Sequence, residues 1–130
     1  MTSVISPVTS VVIGSCGQDG HYLCELLRAR GGEVIGVSRG ACASSRSGAL
    51  APVDILDRAA VARLLAEHRP AEIYYLAASH GAAEAAAGDT HALFRRAIEA
   101  HVEGLLHVLD GVERHGCGAR VFYAGSSHMF

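Results

Sequence analysis

The feature that most constrains this chain is a glycine-rich turn set between a short β-branched strand and an amphipathic helix. Residues 8–13 are a β-branched run, and Gly14-Ser15-Cys16-Gly17-Gln18-Asp19-Gly20 follows it as G-x-x-G-x-x-G. Leu23, Cys24, Leu26 and Leu27 then recur at helical spacing until Gly31 and Gly32. Glycines let a backbone turn sharply and approach a phosphate closely. The free N–H groups and positive dipole end of the helix that follows favour negative charge. Three glycines alone also suit a plain tight turn at a packed junction. The strand before, the helix after and a second strand at the right distance are the context that a dinucleotide pyrophosphate site requires. On this reading Gly14, Gly17, Gln18, Asp19 and Gly20 form the phosphate-binding turn.

The rest of the chain repeats the alternation. Residues 33–38 (EVIGVS) are a second strand, 40–50 a surface loop rich in Ala, Ser and Gly, and 52–55 a brief third strand. Asp57 can cap a helix with Val61, Leu64 and Leu65 on one face, ended by Pro70, and 72–78 is a buried fourth strand. After a patternless stretch at 79–89, Leu93, Ile98, Val102, Leu105, Leu106, Leu109 and Val112 mark one long helix ending at Gly116, and 119–125 is a fifth strand. Apolar strands alternating with helices predict an α/β, Rossmann-like parallel sheet covered on both faces, strand order 3-2-1-4-5, truncated after the fifth strand. Residues 1–130 read as one NAD(P)-binding domain with no substrate domain.

The second strand ends in Ser38-Arg39, where an NAD-preferring protein usually places a carboxylate. A guanidinium there favours the extra 2′-phosphate of NADP, so NADP is the expected cofactor and NAD the alternative; the plainer reading is a solvated arginine at a strand end. The net charge of −2 and scattered arginines argue against nucleic acid as a partner. No apolar stretch reaches membrane-spanning length and no signal-peptide pattern opens the chain, which points to a cytoplasmic protein with no membrane partner. The four cysteines make no C-x-x-C pair, and a reducing compartment without disulfides is the simpler expectation. Cys16, near a helix N-terminus, reads either as an oxidisable thiol or as a small buried side chain. His101 and His107 sit six apart, and no histidine spacing suits a metal, so none is expected. The Arg95-Arg96 pair reads as a solvated or interface face. Ser126-Ser127 lacks the G-x-S-x-G elbow of a hydrolase.

With these residues in place, the sequence resembles the extended short-chain dehydrogenase/reductase family, and most closely its nucleotide-sugar branch of GDP-mannose 4,6-dehydratases. The stretch GSCGQDGHYLCELLRARGGEVIGVSRG is similar to that branch's first strand, turn, helix and second strand, and PAEIYYLAASH, HVEGLLHVLDGVERHG and FYAGSS follow in the family's order. The resemblance implies that Asp54 and Ile55 lie at the adenine, and that Leu76, Ala77 and Ala78 pack along the cofactor. It also implies that Ser126 holds the position of the active-site serine or threonine. Tyr75 and His101 stand where the family commonly has asparagine. His128 stands where the dehydratases carry a glutamate base, so it is either a replacement base or an ordinary polar residue.

The family's chemistry also uses a tyrosine and a lysine four residues later. All eleven Lys/Arg positions of this chain are arginine, so that pair is absent. Two readings follow. One is the cofactor half of a nucleotide-sugar dehydratase, epimerase or reductase, its nucleotide sugar held by a missing segment; the other is a non-catalytic NADP(H)-binding module. A sheet ending at its fifth strand leaves an unpaired row of backbone N–H and C=O groups. Self-association through that edge, or poor solubility, is therefore expected in sedimentation of the purified chain, and a monodisperse monomer at high concentration would contradict it.

Overall fold

The computed structural model describes residues 5–40, 49–78, 89–115 and 118–125. Within them a five-stranded parallel sheet runs in the order β3-β2-β1-β4-β5, formed by β1 (Thr9–Ile13), β2 (Glu33–Ser38), β3 (Ala49–Pro52), β4 (Glu72–Tyr75) and β5 (Arg120–Tyr123). The central strand is closed to water on both faces: Val11 and Val12 are fully buried and Ile13 nearly so. A strand covered on both sides has no polar face to display, which is why 8–13 reads as an unbroken apolar run.

The pleat nevertheless sorts its side chains. Val12 and Val34 pack against Cys24 and Leu27 of helix α1 (Gln18–Ala29). Val11, Ile13, Ile35, Val37, Ile73 and Tyr75 pack on the other face against Val61, Leu64 and Leu65 of α2 (Arg58–His68) and Val108 of α4 (Gly104–His115). Helix α2 starts as its sequence predicts: Asp57 is the N-cap and its carboxylate accepts from the Ala60 amide at 3.0 Å. Asp110 of α4 accepts from Arg114 of its own helix and from Arg58 of α2; the two bonds hold its carboxyl below the ordinary value, and the second ties the helices together.

The fourth strand, expected over 72–78, pairs only over Glu72–Tyr75, and the fifth, expected over 119–125, only over Arg120–Tyr123. Two further elements depart from the sequence-based expectation in kind or position. The third strand lies at Ala49–Pro52, three residues earlier than the predicted 52–55. The Asp54 carboxylate accepts from the Leu56 amide and its carbonyl from the Asp57 amide, each at 2.9 Å, so 54–57 folds as a local turn instead of extending. Pro52 closes an edge strand, where its missing N–H leaves no gap in the ladder.

The single long helix expected to end at Gly116 is instead α3 (Thr90–Ile98), a π-helical turn (Glu99–Glu103) and α4. Tyr75 is completely buried, and its hydroxyl must find an acceptor there. It donates to the Ala100 carbonyl inside the widened turn, a side chain entering the helical ladder of the kind that widens it. The apolar residues of this helix accordingly occupy two faces. Val108 is buried, whereas Phe94, Ile98, Val102, Leu106 and Leu109 are exposed.

Burial, with the neighbouring Tyr123 second, pushes the Tyr75 hydroxyl up to about 12 from an ordinary 10. The folded state then keeps this proton after the unfolded chain has released it. The stability it contributes is complete below about pH 10 and is lost as the pH rises towards 12. Tyr75→Phe is expected to cost about 1 kcal/mol at neutral pH and to remove that alkaline component. Thermal melts of both proteins across this range check it: the gap between the two curves narrows above about pH 10.

Candidate cofactor site

The carboxyl ends of β1, β2 and β4 open into one cleft. Gly14, Gly17, Arg39, Asp54, Ile55, Leu76, Ala77 and Ala78 all line it. The glycine turn itself is tied to β2: the Val37 carbonyl accepts from the Gly14 amide at 3.0 Å and from the Ser15 amide and hydroxyl, each at 3.3 Å. Gly17 is the N-cap of α1 and offers no side-chain cap. Its carbonyl accepts from the His21 amide, so the amides of Gln18, Asp19 and Gly20 are the helix's opening donors, with no intrahelical partner.

The three glycines are needed for different reasons. Gly14 has φ +87° and ends so close to β4 that a Cβ would lie 2.9 Å from the Ala77 nitrogen. Gly20 is buried under the turn, where a Cβ would meet the Gly14 carbonyl oxygen and lie 2.8 Å from the Ser15 Cα. Gly17 is exposed, has ordinary extended backbone and leaves room: a Cβ there would touch only the Gly14 oxygen, at 3.4 Å. The fold itself does not require glycine at 17.

Of the other predicted residues, Gln18 and Asp19 are exposed on the first turn of α1 and do not line the cleft. Ser126 and His128 lie outside the described residues. Asp54 is exposed and Ile55 half-buried on the 54–57 turn, which His107 of α4 fastens by donating from Nδ1 to the Ile55 carbonyl at 2.8 Å. His101 meets the Tyr123 hydroxyl at 3.0 Å. Both histidines therefore have packing partners, and no group of metal-ligating side chains occurs among the described residues.

Arg96 is exposed, as expected of a solvated face, and it also lines the cleft together with Glu99 and Ala100. Arg95, one turn before Glu99, does not line it. One expectation needs correction. Cys16 is exposed and disulfide-bonded, which overturns the expectation of a chain without disulfides and of a small buried side chain at 16, while Cys24 is free and buried. The exposed tip of a turn leaves a sulfur reachable, which apolar spacing in the sequence does not reveal.

A parallel 3-2-1-4-5 sheet with a glycine turn at the carboxyl end of its central strand defines a Rossmann-type α/β protein. The model of the NAD dependent epimerase/dehydratase family matches residues 10–130, and the chain belongs to that family. Among solved structures it is similar to the UDP-glucose 4-epimerase of Brucella ovis in complex with NAD, with TM-score 0.76 and 21% identity over 92% of this chain and 36% of that one. The Thermotoga maritima UDP-glucose 4-epimerase with UDP-glucose matches with TM-score 0.73 and 20% identity over 92% and 38%. The L-threonine dehydrogenase of Clostridium difficile matches with TM-score 0.76 and 21% identity over 92% and 37%. The chain thus spans less than two fifths of the length of each of these neighbours.

The contrast between the glycines is testable without any ligand. Gly20→Ala forces backbone atoms apart and is expected to lower stability by about 1–3 kcal/mol. Gly17→Ala is expected to stay within about 0.5 kcal/mol of the parent. Denaturant unfolding of the two variants beside the parent measures both.

Proposed function

We propose that the cleft binds a nicotinamide dinucleotide, with NADP preferred, as the cofactor part of an enzyme acting on nucleotide sugars. The observation that carries this reading is Gly17: a glycine the fold does not need, at the mouth of a cleft and at the uncapped start of a helix. The pyrophosphate would lie against Gly14 and Gly17, which line the cleft at the N-terminal end of α1. Asp54 and Ile55 would take the adenine, and Leu76, Ala77 and Ala78 would wall the cleft. When bound, the dinucleotide supplies reversible hydride exchange with the substrate. The NAD named with the Brucella ovis enzyme supports a dinucleotide here. Arg39, which has no hydrogen bond or ion pair among the described residues, supports NADP over NAD.

The nucleotide-sugar class rests on family membership and on the Gly-Gln-Asp-Gly step shared with GDP-mannose 4,6-dehydratases. In that reading Ser126 hydrogen-bonds the reacting hydroxyl and His128 is a candidate base. The substrate is held largely by parts of the neighbours' length that this chain does not span, and the protein is cytoplasmic; no helix among the described residues is long and apolar enough to cross a membrane.

Calorimetric titration of the chain with NADP⁺ and NAD⁺ tests the proposal. NADP⁺ is expected to bind about tenfold to a hundredfold more tightly. Arg39→Ala is expected to erase that preference, and Gly17→Val to abolish binding of both while leaving the melting temperature close to that of the parent. A folded chain that binds neither dinucleotide makes the glycine turn purely structural.

A further inference from the structure

Arg96 is one cation more than a turn-plus-Arg39 site requires. It lines the same cleft as Gly14, Gly17 and Arg39, but it comes from α3, on the element that follows β4. Like Arg39, it has no hydrogen bond or ion pair among the described residues, although Glu99 lines the cleft one helical turn away. Its place is set by a buried contact. Tyr75 of β4 holds the Ala100 carbonyl, and Arg96 lies one turn before Ala100 on the same side of the helix. A guanidinium that lines a cleft without a partner has its fork of N–H donors available to an anion, with which it forms charge-assisted hydrogen bonds.

We infer that Arg96 is a second anion-binding residue of the cleft and takes the pyrophosphate of the bound dinucleotide. The inference rests on the dinucleotide reading above. Topology separates the two arginines: β2 and β4 flank β1 on opposite sides, so Arg39 and α3 reach the glycine turn from different directions. Arg39, at the end of β2, lies where the ribose of the adenosine half falls in this fold class. Among the described residues that line this cleft, Arg96 is then the cation left for the phosphates common to NAD and NADP.

The test is calorimetric titration of the chain and of its Arg96→Ala, Arg96→Lys, Arg95→Ala and Arg39→Ala variants, each with NAD⁺ and NADP⁺. Arg96→Ala is expected to weaken both dinucleotides by the same factor, about tenfold to a hundredfold. Arg96→Lys should recover part of the loss. Arg95→Ala, on the neighbouring residue that does not line this cleft, should change neither. Arg96 is exposed, so unchanged melting temperatures should accompany the loss. Wild-type affinities retained in Arg96→Ala, with Arg39→Ala still altering NADP⁺, would overturn the inference and leave the dinucleotide reading standing. A loss confined to NADP⁺ would overturn it too, by assigning Arg96 to the 2′-phosphate. A parent chain that binds neither dinucleotide defeats both readings together.

Discussion

The cleft depends on how closely β1 and β4 can end side by side. Gly14 leaves the central strand with φ +87°, and its backbone comes so near Leu76 and Ala77 that no side chain fits between them. A residue with a Cβ would part the two strand ends and carry the start of α1 away from the sheet. The Val37 carbonyl then takes the Gly14 and Ser15 amides and the Ser15 hydroxyl, fixing the same turn to β2. Three strand ends are thereby gathered around one backbone reversal, and the opening donors of a helix are aimed at their shared edge. A site at the carboxyl ends of a parallel sheet, where the strand order reverses, follows from this geometry.

What could be read from the sequence divides along the range of the interactions involved. The second strand was legible to the residue, because an apolar run between Gly32 and Arg39 has no competing local structure. The Asp57 cap was legible for the same reason: an N-cap acts within three residues. The third strand was displaced because Asp54 bonds to the amide two residues on, and such turns compete with extended backbone through contacts too short-ranged for a hydrophobic pattern to show. The break in the long helix was not legible at all. It depends on Tyr75, twenty-five residues before Ala100 in sequence.

The same distinction separates the residues of the site. The glycine turn announces itself because all its parts lie within seven residues. Arg96 does not, since its relation to the cleft runs through the packing of one helix on another strand's buried tyrosine. His107 is a similar case. As a histidine on a helix it suggested at most a metal ligand, whereas its ring fastens the turn that carries Asp54 and Ile55. Family resemblance singled out Asp54 and Leu76 to Ala78 where spacing alone was silent, and these residues line one cleft.

Tyr75 and His101, the two departures from the asparagines common in the family this sequence resembles, belong to one arrangement. Tyr75 donates to Ala100 and its ring packs on that of Tyr123 at 5.9 Å between centroids. His101 meets the Tyr123 hydroxyl at 3.0 Å, with its ring edge-on to the same tyrosine. The two replacements are therefore linked through Tyr123, and together they join β4 and β5 to the π-helical turn. Tyr75 reaches into the widened turn at the Ala100 carbonyl, and His101, part of that turn, reaches out of it to Tyr123. Gly104, directly beyond the widened turn, leaves space for the Tyr75 hydroxyl and for Ile55, which a Cβ would occupy. The wall of the cleft next to Leu76 and Ala77 is thus maintained by a network of aromatic rings and one histidine. Because the network holds the helical segment that carries Arg96 and Glu99, it also bears on which charges line the cleft.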